Sequence, residues 1–298
     1  MSGVLASERN VPAERTSGSG EVKARGWLLS HKWLVLRRVG QLGILALFLL
    51  GPWAGIWIVK GNLSSSLTLG ILPLTDPYLL LQSVAAGHLP WKESVIGASI
   101  VLAFYLLVGG RVYCSWVCPV NMVTDGAGWL RRRLNIKTGK TPSRQLRYWL
   151  LGITLVVSLA TGTIAWEWVN PVSMFHRGLI FGFGLAWAIV LGVFLFDLFV
   201  APRGWCGHVC PVGACYSLLG RVALPRVSAF GRVRCDDCMD CYKVCPEPQV
   251  ITPALKGKDD ATPVIRSPNC TNCGRCIDVC TKNVFRFAIR FDERRDSQ

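Results

Sequence analysis

Thirteen cysteines carry most of the chemistry open to this chain. Eight of them form the tail pattern Cys235-x2-Cys238-x2-Cys241-x3-Cys245-Pro246 and Cys270-x2-Cys273-x2-Cys276-x3-Cys280. This is the spacing of bacterial two-cluster ferredoxins, in which three close thiolates grip one [4Fe-4S] cube and the fourth crosses to the other. It predicts one cluster on Cys235, Cys238, Cys241 and Cys280, and a second on Cys270, Cys273, Cys276 and Cys245. Zinc also uses Cys-x2-Cys pairs, but a four-ligand zinc site has no use for a third close cysteine followed by x3-Cys, repeated twice. Thr281 follows the last cysteine where the first repeat has Pro246; proline shapes the chain there and supplies no ligand. Gly274, inside the second loop, is expected to let backbone N–H groups approach the sulfides.

Four more cysteines stand in two half-motifs, RVYCSWVCPV from Arg111 and RGWCGHVCPV from Arg203. Cysteines at i and i+4 lie on one helix face about 5–6 Å apart, so Cys114 with Cys118, and Cys206 with Cys210, each present two thiols side by side. Pro119 and Pro211 mark a change of direction after each pair. Three roles remain open for these possible redox or docking thiols: joint ligation of a further metal or cluster, electron exchange with a partner, or the residue of a duplicated element. His208 lies within the second motif as a further potential ligand, and Cys215 is assigned no role, as a small buried hydrophobe.

The elements that position these groups are apolar. Hydrophobic residues make up 51% of the 298, and the mean hydropathy is +0.37. Residues 39–59, 94–110, 148–166 and 178–196 are runs of 17 to 21 residues free of charge, and roughly 20 apolar residues cross a bilayer as a helix. Four transmembrane helices are expected, with a kink at Pro52. The first run exceeds the apolar core of a cleaved leader and lacks a small-residue cleavage site, so a retained helix is expected. Lys and Arg crowd the segments before the first run and between the second and third, for example Arg37, Arg38, Arg131, Arg132 and Arg133, and are sparse on the other side. The positive-inside rule then places both chain ends in the cytoplasm. The same distribution explains most of the net charge of +15 and argues against a nucleic-acid partner. Every cysteine falls on the predicted cytoplasmic side, where thiols stay reduced, which argues against a disulfide framework. After Cys280, residues 283–291 partly alternate apolar and basic, as in a short closing strand.

The fold class predicted is an α-helical membrane protein with four spans and a small α+β ferredoxin-like cytoplasmic domain. Its expected divisions are a disordered tail over 1–26, a membrane domain over 27–220 carrying both Cys-x3-Cys-Pro motifs, and a two-cluster ferredoxin domain over 221–298.

Several longer stretches sharpen the reading: SHKWLVLRR from Ser30, GPWAGIW from Gly51, PLTDP from Pro73, CSWVCP from Cys114, TGTIAWEWVNPVS from Thr161, GWCGHVCPVGA from Gly204 and CMDCYKVCPEP from Cys238. In these the chain resembles the NapH family, the ferredoxin-type membrane component of the quinol dehydrogenase serving periplasmic nitrate reductase. The resemblance runs over nearly the whole chain from about Trp27. It implies a multi-pass protein of the bacterial inner membrane with two cytoplasmic [4Fe-4S] clusters. It also implies a periplasmic iron-sulfur partner of the NapG type, the membrane quinone pool as electron source, and the nitrate reductase chain as destination.

Quinol oxidation releases protons, so a site needs acceptors beside an apolar slot. The titratable groups on the uncharged outer side are Glu167, His176, Asp76 and His88, and the first three are the quinol candidates. Each has a plainer reading: Glu167 as an interfacial acid between Trp166 and Trp168, and Asp76 as a helix cap before Pro77. Asp197, near the inner end of the fourth run, has Arg203 as an expected pairing partner. Two other functions use the same parts. One is an assembly or maturation factor for a partner redox enzyme, although scattered methionines and the lack of a His pair argue against copper handling. The other is a methylamine-utilisation relative with the same clusters.

Overall fold

The structure is a computed structural model. It describes residues 26–292 except 137, 138, 140, 183 and 258–260. The expected tail over 1–26 therefore lies outside the described residues but for Gly26.

The described chain is mostly helical. Helix α1 (Lys32–Ala54) has a mean hydropathy of 1.7 over its best window and is long and apolar enough to cross a membrane. Pro52 falls in its last turn and Gly55 closes it in the left-handed region, so the proline precedes the helix end instead of kinking its middle. An antiparallel meander follows, β1 (Val59–Gly61), β2 (Ser65–Thr68) and β3 (Leu72–Thr75), with Lys60 opposite Leu67 and Leu67 opposite Pro73. Next come α2 (Pro77–Ala85), α3 (Lys92–Val108), a π-helical turn over Tyr113–Val117 and α4 (Val120–Arg133). The chain then repeats itself. Helix α5 (Leu146–Thr161) leads through a short turn to α6 (Pro171–Phe181), α7 (Leu185–Leu195), a second motif turn over Trp205–Val209 and α8 (Pro211–Leu219).

The repetition extends to single residues. Asp76 caps α2 by accepting from the Tyr78 N–H, and Asn170 caps α6 by accepting from the Val172 N–H, each followed by proline at the first helical position. The halves interlock crosswise: α2 packs on α5 and α6 on α1, while α4 packs on α7 and α8 on α3. Hydrogen bonds from Tyr78 to Thr154 (2.6 Å) and from Ser158 to Gln82 (3.5 Å) fix α2 against the middle of α5.

The fourth apolar run differs from its expectation. It is divided between α6 and α7, with Gly182 ending α6 at φ +86°. Without a Cβ that conformation carries no strain, and the helix ends.

After α8 the chain forms a small unit around the tail cysteines: β4 (Pro225–Ser228), α9 (Asp240–Val244), α10 (Ile251–Lys256), α11 (Arg275–Asp278) and β5 (Arg286–Ile289). Strand β5 lies within the residues expected to form a closing strand and pairs antiparallel with β4, Val227 opposite Phe287. Its core includes Val227, Ile251, Leu255, Ile265 and Phe285, packed around Cys241 and Cys276.

Candidate iron-sulfur site

The two tail loops share one backbone recipe. Asp237 and Asn272, and then Met239 and Gly274, have positive φ at matching places in the two Cys-x2-Cys-x2-Cys runs. Left-handed residues alternating with right-handed ones turn successive N–H groups inward as a concave nest suited to an anion. Accordingly the N–H groups of Asp237 and Asp240 favour the thiolate forms of Cys235 and Cys238, and those of Asn272 and Arg275 favour the thiolates of Cys270 and Cys273.

The thiols fall into two crossed sets. Cys235, Cys238, Cys241 and Cys280 line one cleft, and Cys241 interacts with the charge of the other three. Cys276 interacts most strongly with Cys273, Cys245 and Cys270, and only then with Cys241. Among the described residues, no three His, Cys, Asp or Glu side chains gather closely enough to hold one metal ion.

The surroundings of the two sets differ in exposure and charge. The first is open, with Cys238 exposed and Asp236, Asp237, Asp240 and Lys282 in its lining, Asp237 paired with Lys256 and Asp240 with Lys243. The second is roofed by cations. Arg37, from the start of α1, is fully buried at 0% exposure, and none of its three guanidinium nitrogens has a hydrogen-bond partner among the described residues. It lies within electrostatic reach of Cys273, and burial together with Arg275 lowers it to about 10, so it stays charged at neutral pH. Burial would raise the Cys273 thiol, but Arg275 and Arg37 override it and hold Cys273 below the ordinary thiol value. Burial pushes its neighbour Cys270 up to about 11. An orphaned guanidinium beside a thiol set is what an anionic cube with exposed sulfides would satisfy.

Gly274 has a role the sequence did not disclose. A Cβ there would lie 2.5 Å from the Trp33 indole, so the missing side chain admits α1 against the loop. The N–H groups of Trp33 and Leu34 in turn donate to Asp278 at 3.2 and 3.0 Å.

Two carboxylates, Glu247 buried and Asp125 partly so, lock the tail to the helices. Glu247, 1% exposed, accepts from Arg111 (2.6 Å), Arg147 (3.1 Å) and Arg144 (3.2 Å). Asp125 of α4 accepts both contacts of Arg275, at 2.7 and 2.6 Å, and pairs with Arg38. Burial would raise Asp125, but Arg275, Arg203 and Arg38 hold it well below the usual carboxylate range. Neither hub stands out in the sequence: Glu247 directly follows Cys245-Pro246, the one signal available, while Arg111 and Arg147 sit among the Lys and Arg between the second and third apolar runs.

The outer-side candidates separate. Asp76 caps α2 and also accepts from Tyr216 at 3.2 Å, with Glu167 close enough for their charges to interact. Glu167 accepts from Asn170 (3.0 Å) and from Ser173. His176 is buried against Phe48 with ring centroids 5.9 Å apart, and His88 is exposed, bonding the Gly162 carbonyl at 3.1 Å. Asp197 forms no ion pair with Arg203 in the structure: it accepts from the Trp205 N–H at 2.9 Å, while Arg203 donates to the Val244 carbonyl at 2.7 Å.

Residues 234–284 match the family described as a 4Fe-4S dicluster domain, and residues 93–137 and 183–231 match a family described as a 4Fe-4S binding domain. The chain is 48% identical to the ferredoxin-type protein NapH of Haemophilus influenzae, over 94% of this chain and 98% of that one. It is 49% identical to NapH of Escherichia coli (93% and 96% covered) and 57% identical to the methylamine utilization ferredoxin-type protein MauN of Paracoccus denitrificans (89% and 93% covered). The chain belongs to the NapH/MauN family of ferredoxin-type proteins. As a member of that family it is an iron-sulfur electron-transfer protein. No solved structure matches it.

Proposed function

We propose that the chain is the membrane-anchored electron carrier of a quinol dehydrogenase. In this reading Cys235, Cys238, Cys241 and Cys280 hold one [4Fe-4S] cluster, and Cys270, Cys273, Cys276 and Cys245 hold a second. Each cube would supply a one-electron carrier; the protein's part is to bind it, shield it and set its potential. The observation that carries the reading is the pair of crossed thiol sets, one of them pressed against the helices by Arg37, Arg275 and Trp33.

The proposal includes a membrane domain over 27–220 and a ferredoxin domain over 221–298. Four spans, with both ends in the cytoplasm of a bacterial inner membrane, are supported by the four charge-free runs and by large apolar side chains left outside: Trp53, Trp149, Leu159 and Phe181 are all more than half exposed. Electrons would come from quinol and pass, with a periplasmic iron-sulfur partner of the NapG type, toward nitrate reductase. Asp76 and Glu167 are the proton acceptors this reading favours over His176, since their charges interact and Asp76 bonds Tyr216 beside the thiol-bearing turns.

The test is direct. Inner-membrane vesicles containing the chain and its partner are given menaquinol anaerobically, and cluster bleaching is followed; reduction supports the proposal and an unchanged spectrum refutes direct participation. The 57% identity to MauN favours a second reading, in which the same carrier serves methylamine oxidation. Restoration of nitrate-dependent or of methylamine-dependent growth in a strain lacking its own carrier decides between them.

A further inference from the structure

The two half-motifs, far apart in sequence, converge. Cys118 interacts electrostatically with Cys114 and Cys210, Cys206 with Cys118, Cys210 and Cys114, and Cys210 with Cys114, so all six pairs among the four thiols lie within electrostatic range, and Cys114 and Cys206 line one cavity. The turns that carry them are built alike. Each is a π-helical turn closed by an i to i+5 bond, from Cys118 N–H to Tyr113 O at 3.0 Å and from Cys210 N–H to Trp205 O at 2.9 Å. Such turns concentrate at functional sites. In both, the second cysteine is extended and its proline opens or caps a helix, α4 or α8.

The sulfurs have donors waiting. The N–H groups of Val120 and Asn121 stabilise a thiolate at Cys118, and those of Val212 and Gly213 one at Cys210. This matches the N–H to sulfur pattern of the tail loops. Arg111, 2% exposed, supplies positive charge to Cys114 and Cys206 and donates to the Cys206 carbonyl at 3.0 Å. The two stretches matching a 4Fe-4S binding domain contain five cysteines; the fifth, Cys215, interacts instead with Asp76.

We propose that Cys114, Cys118, Cys206 and Cys210 together ligate a third [4Fe-4S] cluster, at the junction of the two halves of the helical domain. Four thiolates and a 2+ core give a dianion, which Arg111 offsets and the four helix-start N–H groups solvate. One electron would take the core from 2+ to 1+ and back. The site adjoins the second tail set: Ser115 donates to the Thr271 carbonyl at 2.7 Å and Trp116 to the Asn272 carbonyl at 3.1 Å. Cys114, Cys206, Thr271 and Arg275 line one shared cavity. The third cluster would thus adjoin the second tail cluster and extend the carrier role proposed above, on which it rests for its purpose but not for its ligands.

Iron and acid-labile sulfide are counted on the full chain purified anaerobically in detergent, together with electron paramagnetic resonance after stepwise reduction. Three cubes predict about twelve iron atoms per chain, and two predict about eight. The C114S/C206S chain is expected to lose about a third of the iron while both tail signals survive. Overturning results are about eight iron atoms in the unaltered chain, an iron count unchanged by the double substitution, zinc at the four thiols, or a disulfide among them. Should the double variant not accumulate, the count on the unaltered chain decides alone. A count near zero would remove the carrier proposal as well, whereas a count near eight removes only the third cluster.

Discussion

The two tail thiol sets come from the same seven-residue pattern, with left-handed residues at the same two places, yet they lie in different electrostatic settings: mixed and open at the first, enclosed by arginines at the second. The first opens to solvent among Asp236, Asp237 and Asp240. The second is enclosed by Arg37, Arg275 and the start of α1. A cube gains a negative charge on reduction, so nearby cations favour the reduced form and nearby carboxylates oppose it. In the proposed assignment the backbone would hold each cube, while its neighbours would set the potential. The difference predicts that the helix-side cluster is reduced at higher potential than the outer one, and that it is the better shielded of the two.

Breaking the lock between tail and helices should have the largest effect. Glu247→Ala leaves Arg111 and Arg147 buried without their shared partner, a loss of about 3–5 kcal/mol for a buried ion pair. Thermal bleaching of the cluster absorbance should move to clearly lower temperature, whereas Asp240→Ala, which breaks only the partly exposed Lys243 contact, should leave the midpoint nearly in place.

Arg37→Gln sharpens the comparison at the second site. Loss of one buried positive charge should lower the potential of that cluster by about 50–100 mV, since about 60 mV corresponds to about 1.4 kcal/mol for one electron. Redox titration should show the outer cluster unmoved. A shift of both clusters, or of neither, would deny Arg37 its place beside Cys273.

The smallest expected effect is at the outer site. Asp237→Asn removes a negative charge and should raise that potential by a few tens of millivolts at low salt. Because screening acts over about 10 Å at 0.1 M salt, the shift should shrink as salt is added. The Arg37 effect should persist, its charge being buried.

The sequence displays the tail thiols better than their surroundings. The grouping of the eight tail cysteines and the closing strand are legible because Cys spacing and alternation are local. The duplication was visible in the two Cys-x3-Cys-Pro motifs, but the crosswise packing that brings Cys114 and Cys118 to Cys206 and Cys210 was not, since it depends on α4 meeting α7 and α8 meeting α3. Arg37 and Arg111 look like ordinary inside charges; only the fold turns them toward thiols. Asp76 shows the reverse: its capping role could be read from Thr-Asp-Pro, while its bond to Tyr216 could not.

Potentiometric titration of the anaerobically purified full chain, followed by electron paramagnetic resonance, tests the account at its centre. The prediction is two tail [4Fe-4S] signals at separate potentials, with the higher one abolished by C273S and the lower one by C238S. A single unresolved potential for both, a reversed order, or protein that returns zinc in place of iron would contradict it.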